Sequence, residues 1–173
     1  MKFLHGQDTT LSTCQQNILN VTNGGSAGST EQEEYNMGLD MYAYVAKRAG
    51  QQNDFYEGST WDEDAREMTN PNVERPRELA YWRKHPNLHG WMEDLAERKG
   101  LDYKAFNGIE LELTWQDLDE LEQAVKNKTL PRTQGFFFGD PSDDYYREHD
   151  LEFIKNAKAE LFMGLKVFYN SSW

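Results

Sequence analysis

Cysteine is almost missing from this chain. Cys14 is the single one in 173 residues, which excludes an internal disulfide framework and any zinc site built on several thiolates. No apolar run approaches the roughly 20 residues needed to span a bilayer. Residues 1–6 carry one lysine and a very short apolar stretch, so no secretory signal is read there. Positive charge is scarce as well: 18 Lys and Arg stand against 30 Asp and Glu, a net charge of −12. That balance argues against non-specific nucleic-acid binding as the main activity. Aromatic rings are plentiful instead, with 5 Trp, 9 Tyr and 9 Phe, too many for a disordered chain. The expectation is an acidic single domain that acts in the cytoplasm, away from membranes and without sequence-specific nucleic-acid contacts.

Familiar catalytic signatures are also lacking. There is no GxxxxGK[ST] phosphate loop, and Gly24, Gly25 and Gly28 neither fit GxGxxG nor follow a strand pattern. No HExxH, EF-hand loop or GxSxG elbow occurs. Asn20, Asn127 and Asn170 open N-x-[ST] triplets, which carry no weight without a secretory signal. No catalytic residue, metal ligand or cofactor is therefore assigned.

The organisation can be read from composition and period. Residues 23–30 read NGGSAGST and are followed by Glu31, Glu33 and Glu34, so 1–36 is expected to be a flexible or weakly ordered N-terminal extension. Residues 37–173 are expected to form one domain. Leu39, Met41, Ala43 and Val45 alternate with Asp40, Tyr42 and Tyr44, the two-residue period of a strand. Residues 50–75 are polar and read as a long loop. From Pro76 a helix is expected, interrupted at Pro86 and ending at Gly100. Ile109, Leu111 and Leu113 alternate with glutamates as a half-buried strand, and Thr114 with Asp117 forms a capping box for the next helix. Phe136, Phe137 and Phe138, between Gly135 and Gly139, suggest a short buried strand. Asp140 would cap a last helix, Gly164 would end it, and Leu165, Val167 and Tyr169 would close the fold as a strand. The expected class is α+β: a small mixed or antiparallel sheet of about four strands, with three to four helices packed mainly on one face.

One segment stands out chemically. Residues 75–91 read RPRELAYWRKHPNLHGW, placing Arg75, Arg77, Arg83 and Lys84, four of the 18 basic residues, within ten positions. Arginine offers a planar fork suited to phosphate, and Tyr81, Trp82 and Trp91 could stack on a base. His89 could add a donor whose charge varies near neutral pH. Gly135 and Phe137 could supply a close backbone approach and a stacking ring. The candidate ligand site is thus Arg77, Tyr81, Trp82, Arg83, Lys84, His89, Trp91, Gly135 and Phe137, with the kink at Pro86 bringing Arg83 and His89 to one pocket. The plainer alternative is a helix that packs Leu79, Trp82 and Leu88 into the core and leaves its charges solvated. His85 and His89 have helical metal-pair spacing, but no third ligand is apparent. Asp140, Asp143 and Asp144 read better as helix-capping acids than as a magnesium cluster.

Taken together, MGLDMYAY (37–44), ELAYWRKHPNLHGW (78–91), LPRTQGFFFGD (130–140), DDYY (143–146) and FYNSSW (168–173) resemble a widespread family of small phage and bacterial proteins. Its members often open at the MGLDMY segment and often carry the label phosphoglycerate kinase. Such a kinase is more than twice this length, and nothing here matches its nucleotide-phosphate loop. The resemblance implies a phage-encoded accessory protein acting in the cytoplasm of the infected bacterial host. Joined to the basic and aromatic segment, it implies a homo-oligomer that binds and sequesters a small phosphorylated, nucleotide-type ligand such as a host immune signal. Two other readings stay open: an acidic protein-interaction module that inhibits a host protein, and a small hydrolase using His89 with carboxylates.

Overall fold

Strand β1 (Asp40–Ala46) is the centre of the fold, because its alternation of Met41, Ala43 and Val45 with Asp40, Tyr42 and Tyr44 serves two different surfaces. The computed structural model describes residues 38–135, 138 and 143–173. The extension expected at 1–36 lies outside them. β1 is followed by α1 (Gln51–Glu57), the hairpin β2 (Thr60–Asp62) and β3 (Glu67–Thr69), then β4 (Arg77–Arg83) and α2 (Pro86–Arg98). The chain goes on through β5 (Leu111–Leu113), α3 (Trp115–Asn127), α4 (Asp143–Phe162) and β6 (Lys166–Ser172). Four strands form an antiparallel sheet in the order β4-β1-β6-β5, and β2 with β3 form a separate pair. The class is α+β. Among the described residues no helix is long and apolar enough to cross a membrane.

The main core lies between one face of the sheet and helices α2, α3 and α4. Met41, Ala43, Trp82, Val167 and Tyr169 meet Leu88, Met92, Leu118, Leu121, Phe153 and Ile154 there, all buried. The opposite face carries Asp40, Tyr42 and Tyr44 of β1, Glu78, Tyr81 and Arg83 of β4, and Phe168 of β6, with α1 beside them.

Several sequence expectations hold in detail. Thr114 accepts from the Asp117 N–H, and the Asp117 carboxylate accepts from the Thr114 N–H at 2.6 Å, completing the capping box. Lys99 donates to the same carboxylate at 2.5 Å. Burial works against the ionised form of Asp117, but the bonds from Lys99 and Thr114 outweigh it and hold the carboxyl below its usual range. Pro86 sits in the first turn of α2, where its missing N–H costs nothing, and Gly100 follows the helix with φ +72.

Others are corrected. Residues 77–83, expected as helix, form the edge strand β4. A β-bulge explains the misleading pattern. Ala43 pairs with Ala80 but Tyr44 pairs with Glu78, so Leu79 is the extra residue. Leu79 and Ala80 then both lean on the core, which breaks the two-residue period. The expected loop at 50–75 holds α1 and a hairpin. Asp62 Oδ1 accepts from the Asp64 and Ala65 N–H groups, both at 2.9 Å, and Arg66 takes φ 54 to close that turn. Phe138 lies in a turn rather than a strand, its N–H donating to the Gly135 carbonyl at 3.1 Å. Phe136, Phe137 and the expected cap Asp140 lie outside the described residues.

Two glycines explain close approaches. A Cβ on Gly90 would sit 1.9 Å from Thr133 Oγ1, so α2 needs glycine where the 131–135 segment crosses it. Asn87, one turn earlier, accepts from the Thr133 N–H at 2.9 Å. A Cβ on Gly38 would meet Lys84 Cε at 2.8 Å, where the chain enters β1 beneath the β4–α2 corner.

Candidate functional site

The edge strand β4 distributes the basic and aromatic segment to opposite sides of the sheet. Trp82 points inward and is fully buried, its Nε1 donating to Asp150 Oδ1 of α4 at 2.8 Å. His85, also fully buried, places Nε2 3.0 Å from Asp150 Oδ2 and stacks on Tyr146 at 4.7 Å. Its Nδ1 faces Asp143 Oδ1 at 3.8 Å. Tyr146 donates to the Arg83 carbonyl at 2.7 Å, and His149 Nε2 lies 3.1 Å from the Tyr81 carbonyl. Side chains of α4 thus occupy the open edge of β4, which would otherwise present unpaired backbone groups.

His89 is a core residue. Its Nδ1 lies 2.9 Å from the Tyr169 hydroxyl, and Phe106 and Phe138 pack against its ring. Burial lowers its pKa from 6.5 to about 4, so the imidazole is neutral near pH 7. Tyr169 is raised well above its ordinary value by burial and stays a neutral hydroxyl. Trp91 is buried in the same layer, with the Arg98 guanidinium over its ring at 5.9 Å. His85 and His89, which share metal-pair spacing, turn to different partners, one to Asp150 and the other to Tyr169.

On the opposite face, Arg83 is tied to Asp40 by two bonds from Nη1, 2.7 and 2.9 Å long. Tyr81 donates to the same carboxylate at 2.5 Å. Arg83 and His89 therefore do not converge, because Pro86 starts α2 on the core side while strand alternation sends Arg83 the other way. Lys84 occupies the corner between β4 and α2 with φ 58. Gly135 lies in an exposed segment, and Phe137 lies outside the described residues.

Beside the Asp40 cluster a cleft of about 550 Å³ opens between the sheet and α1. Tyr42, Tyr44, Gln52, Tyr56, Arg75 and Arg77 are among its walls, with Glu78 and Pro76 at its side. Its floor is fixed by hydrogen bonds. Tyr44 donates to Glu110 Oε2 at 2.6 Å, and Glu110 Oε1 accepts from the Gly50 N–H at 2.8 Å, which anchors the start of α1 to the sheet. The Tyr42 and Tyr81 rings lie 5.2 Å apart and extend the aromatic floor toward Arg83. Burial, and then the Glu110 hydrogen bond, push the Tyr44 hydroxyl far above its usual range. Burial and Asp40 raise Tyr42. Both therefore act as neutral hydroxyls.

The cations at the cleft mouth are held loosely. Arg75 pairs with Glu67 at 3.2 Å and lies over the Phe55 ring at 5.9 Å. Arg77 pairs with Glu160 at 2.6 Å. Both arginine side chains are more than half exposed, so a stronger anion can compete for them. Gln52 contributes a different feature: its Oε1 is buried yet accepts no hydrogen bond from any described residue.

Of the expected site residues, only Arg77 lines this cleft, with Tyr81 and Arg83 bordering it. Trp82, His89 and Trp91 serve the core. Sequence reasoning missed Tyr42, Tyr44, Gln52 and Tyr56 as site residues. The available signal was two tyrosines on the wet face of the first strand, opposite a row of apolar partners. No family model, curated protein or solved structure matches the chain.

Proposed function

We propose that the cleft between α1 and the sheet binds a small phosphorylated ligand carrying a flat ring. One observation carries this reading: two exposed arginines, Arg75 and Arg77, stand beside three tyrosines around a cavity of about 550 Å³, in the size range of small-molecule sites. Guanidinium forks suit phosphate oxygens, and tyrosine faces suit a base. Tyr44 meets the Glu110 carboxylate, but burial and that bond hold its hydroxyl neutral, which favours binding over turnover. Following the family resemblance, the ligand would be a nucleotide-type signal sequestered in the cytoplasm of a phage-infected bacterium.

A calorimetric screen with nucleoside monophosphates, cyclic dinucleotides, ADP-ribose and inorganic phosphate tests the proposal. A nucleotide should bind, and Arg77→Ala should weaken it about tenfold or more while the melting temperature stays near wild type. Binding that is indifferent to both Arg75→Ala and Arg77→Ala would move the ligand elsewhere.

A second reading has its own observation. Asp94 and Glu97 of α2 and Glu120 of α3 share a groove with Trp91 and Arg98. Burial, and then Glu97 and Asp94, raise the Glu93 carboxyl, a sign of crowded negative charge. That ridge suits a basic protein partner, and salt-sensitive association with no nucleotide binding would favour it over the cleft.

A further inference from the structure

We propose that the cleft continues into a smaller anion pocket that reads a second phosphate, so that the ligand is a nucleoside diphosphate and Lys47 selects it over the monophosphate. This rests on the reading of the cleft as a nucleotide site. Arg75 and Arg77 line the cleft, and both also line a cavity of about 120 Å³ beside it, together with Lys47 and Glu74. Small-molecule sites start at roughly 300 Å³, so the smaller cavity suits one group of a ligand rather than a whole ligand. The shared arginines make it the place where phosphates extending from a nucleoside in the cleft would arrive.

Charge separates the two cavities. Three cations, Lys47, Arg75 and Arg77, line the smaller one with a single carboxylate, Glu74, whereas in the cleft two arginines stand with Glu78. The smaller cavity is thus the more positive, in a chain of net charge −12. Its frame is fixed by Gln51, which is buried, accepts from the Lys47 N–H at 2.9 Å and donates to the Glu74 carbonyl at 2.8 Å. Val45 and Ala46 are buried and line one wall with apolar surface, which strengthens charge attraction in the pocket. The Lys47 ammonium is held less firmly. It pairs with Glu74 at 2.5 Å, but the two side chains are 68% and 67% exposed, and water weakens such a pair. A terminal phosphate brings more charge than that carboxylate and can take Lys47 as a point-charge partner, while the guanidinium forks hold the phosphate nearer the nucleoside.

Calorimetric titration of AMP and ADP, GMP and GDP, and CMP and CDP into the full chain tests this, because each pair differs by one phosphate on a constant base. For any base that binds, the diphosphate should bind wild type about tenfold more tightly than the monophosphate. Lys47→Ala should bring that ratio close to one, with a melting temperature near wild type because its ion pair is exposed. Lys104→Ala, which removes a lysine that lines neither cavity, should keep the ratio and so controls for net charge alone. Glu74→Gln removes the competing carboxylate and should raise diphosphate affinity severalfold. If the two members of each pair bind equally and Arg77→Ala weakens both, the cleft reading stands and the second phosphate pocket is wrong. If a diphosphate preference survives Lys47→Ala as it survives Lys104→Ala, the pocket is wrong as well. If no nucleotide of any pair binds, both readings fall.

Discussion

The two faces of the four-stranded sheet handle polar groups in opposite ways. On the helix side, Trp82, Asp150 and His85 form a buried chain of hydrogen bonds, and His89 is matched to Tyr169. Those partners are other core residues, held where water does not reach. On the other side, Arg75 makes an exposed ion pair with Glu67 and Tyr56 is 49% exposed. The difference teaches that adjacent residues of one motif can hold different jobs. Tyr81 and Trp82 are neighbours, yet strand alternation gives one to the open surface and the other to the core. Polar groups that bond one another in the core resist change, whereas exposed groups with weak partners are ready for a ligand.

The sharpest way to break this comparison is at Asp150. Its carboxylate is the acceptor for both the Trp82 indole and the His85 ring. Asp150→Ala leaves two buried donors without a partner and should cost about 3–5 kcal/mol, the range for removing one member of a buried polar pair. Urea denaturation should show a lower midpoint with an unchanged slope. A loss below about 1 kcal/mol would mean that this face is no more committed than the open one.

A slightly smaller effect is expected from pH. His89 has a folded-state pKa lowered to about 4 from an ordinary 6.5. The unfolded chain therefore takes up its proton first as pH falls. The contribution of neutral His89 is complete above about pH 6.5, declines through the interval, and is gone below about pH 4. The full span corresponds to about 3 kcal/mol. His89→Gln should be less stable at pH 7 but should lose this part of the acid dependence. Stability curves for the two proteins should converge between pH 6.5 and 4. Parallel curves would show that the ring is not held neutral.

How much of this was legible in the sequence depended on the length of each pattern. β1 and the Thr114 capping box carry clear local signals, and both hold. β4 does not, because the bulge at Leu79 places two consecutive apolar residues against the core and imitates a helical spacing. α1 has seven residues and the hairpin strands three each, too short for a period to emerge from a polar stretch. The cleft was harder still. Gln52 and Tyr56 come from α1, Arg75 and Arg77 from the approach to β4, and Tyr42 and Tyr44 from β1. Their meeting is set by antiparallel pairing and by the Gly50–Glu110 bond, neither of which is a local motif. Basic and aromatic residues in 75–91 did mark the neighbourhood, but contiguity suggested one surface where the strand makes two.

The smallest expected stability change concerns the arginines, and it sharpens the comparison from the other side. Arg77 pairs with Glu160 and Arg75 with Glu67, in each case through an arginine side chain more than half exposed. Water screens such pairs, and ordering two long side chains offsets much of their attraction, so each is worth about 0–1 kcal/mol. Arg75→Ala and Arg77→Ala should each change stability by less than about 1 kcal/mol. The difference from wild type should shrink further as salt is raised, since exposed charges are screened over about 3 Å at 1 M. The Arg75 variant also loses its guanidinium contact over the Phe55 ring, so it should be the more affected of the two at high salt. Melting curves at low and high salt would measure both effects on the same samples. If either variant collapses as Asp150→Ala should, these cations hold the fold and are not available to a phosphate, and the division between a committed face and a receptive one disappears.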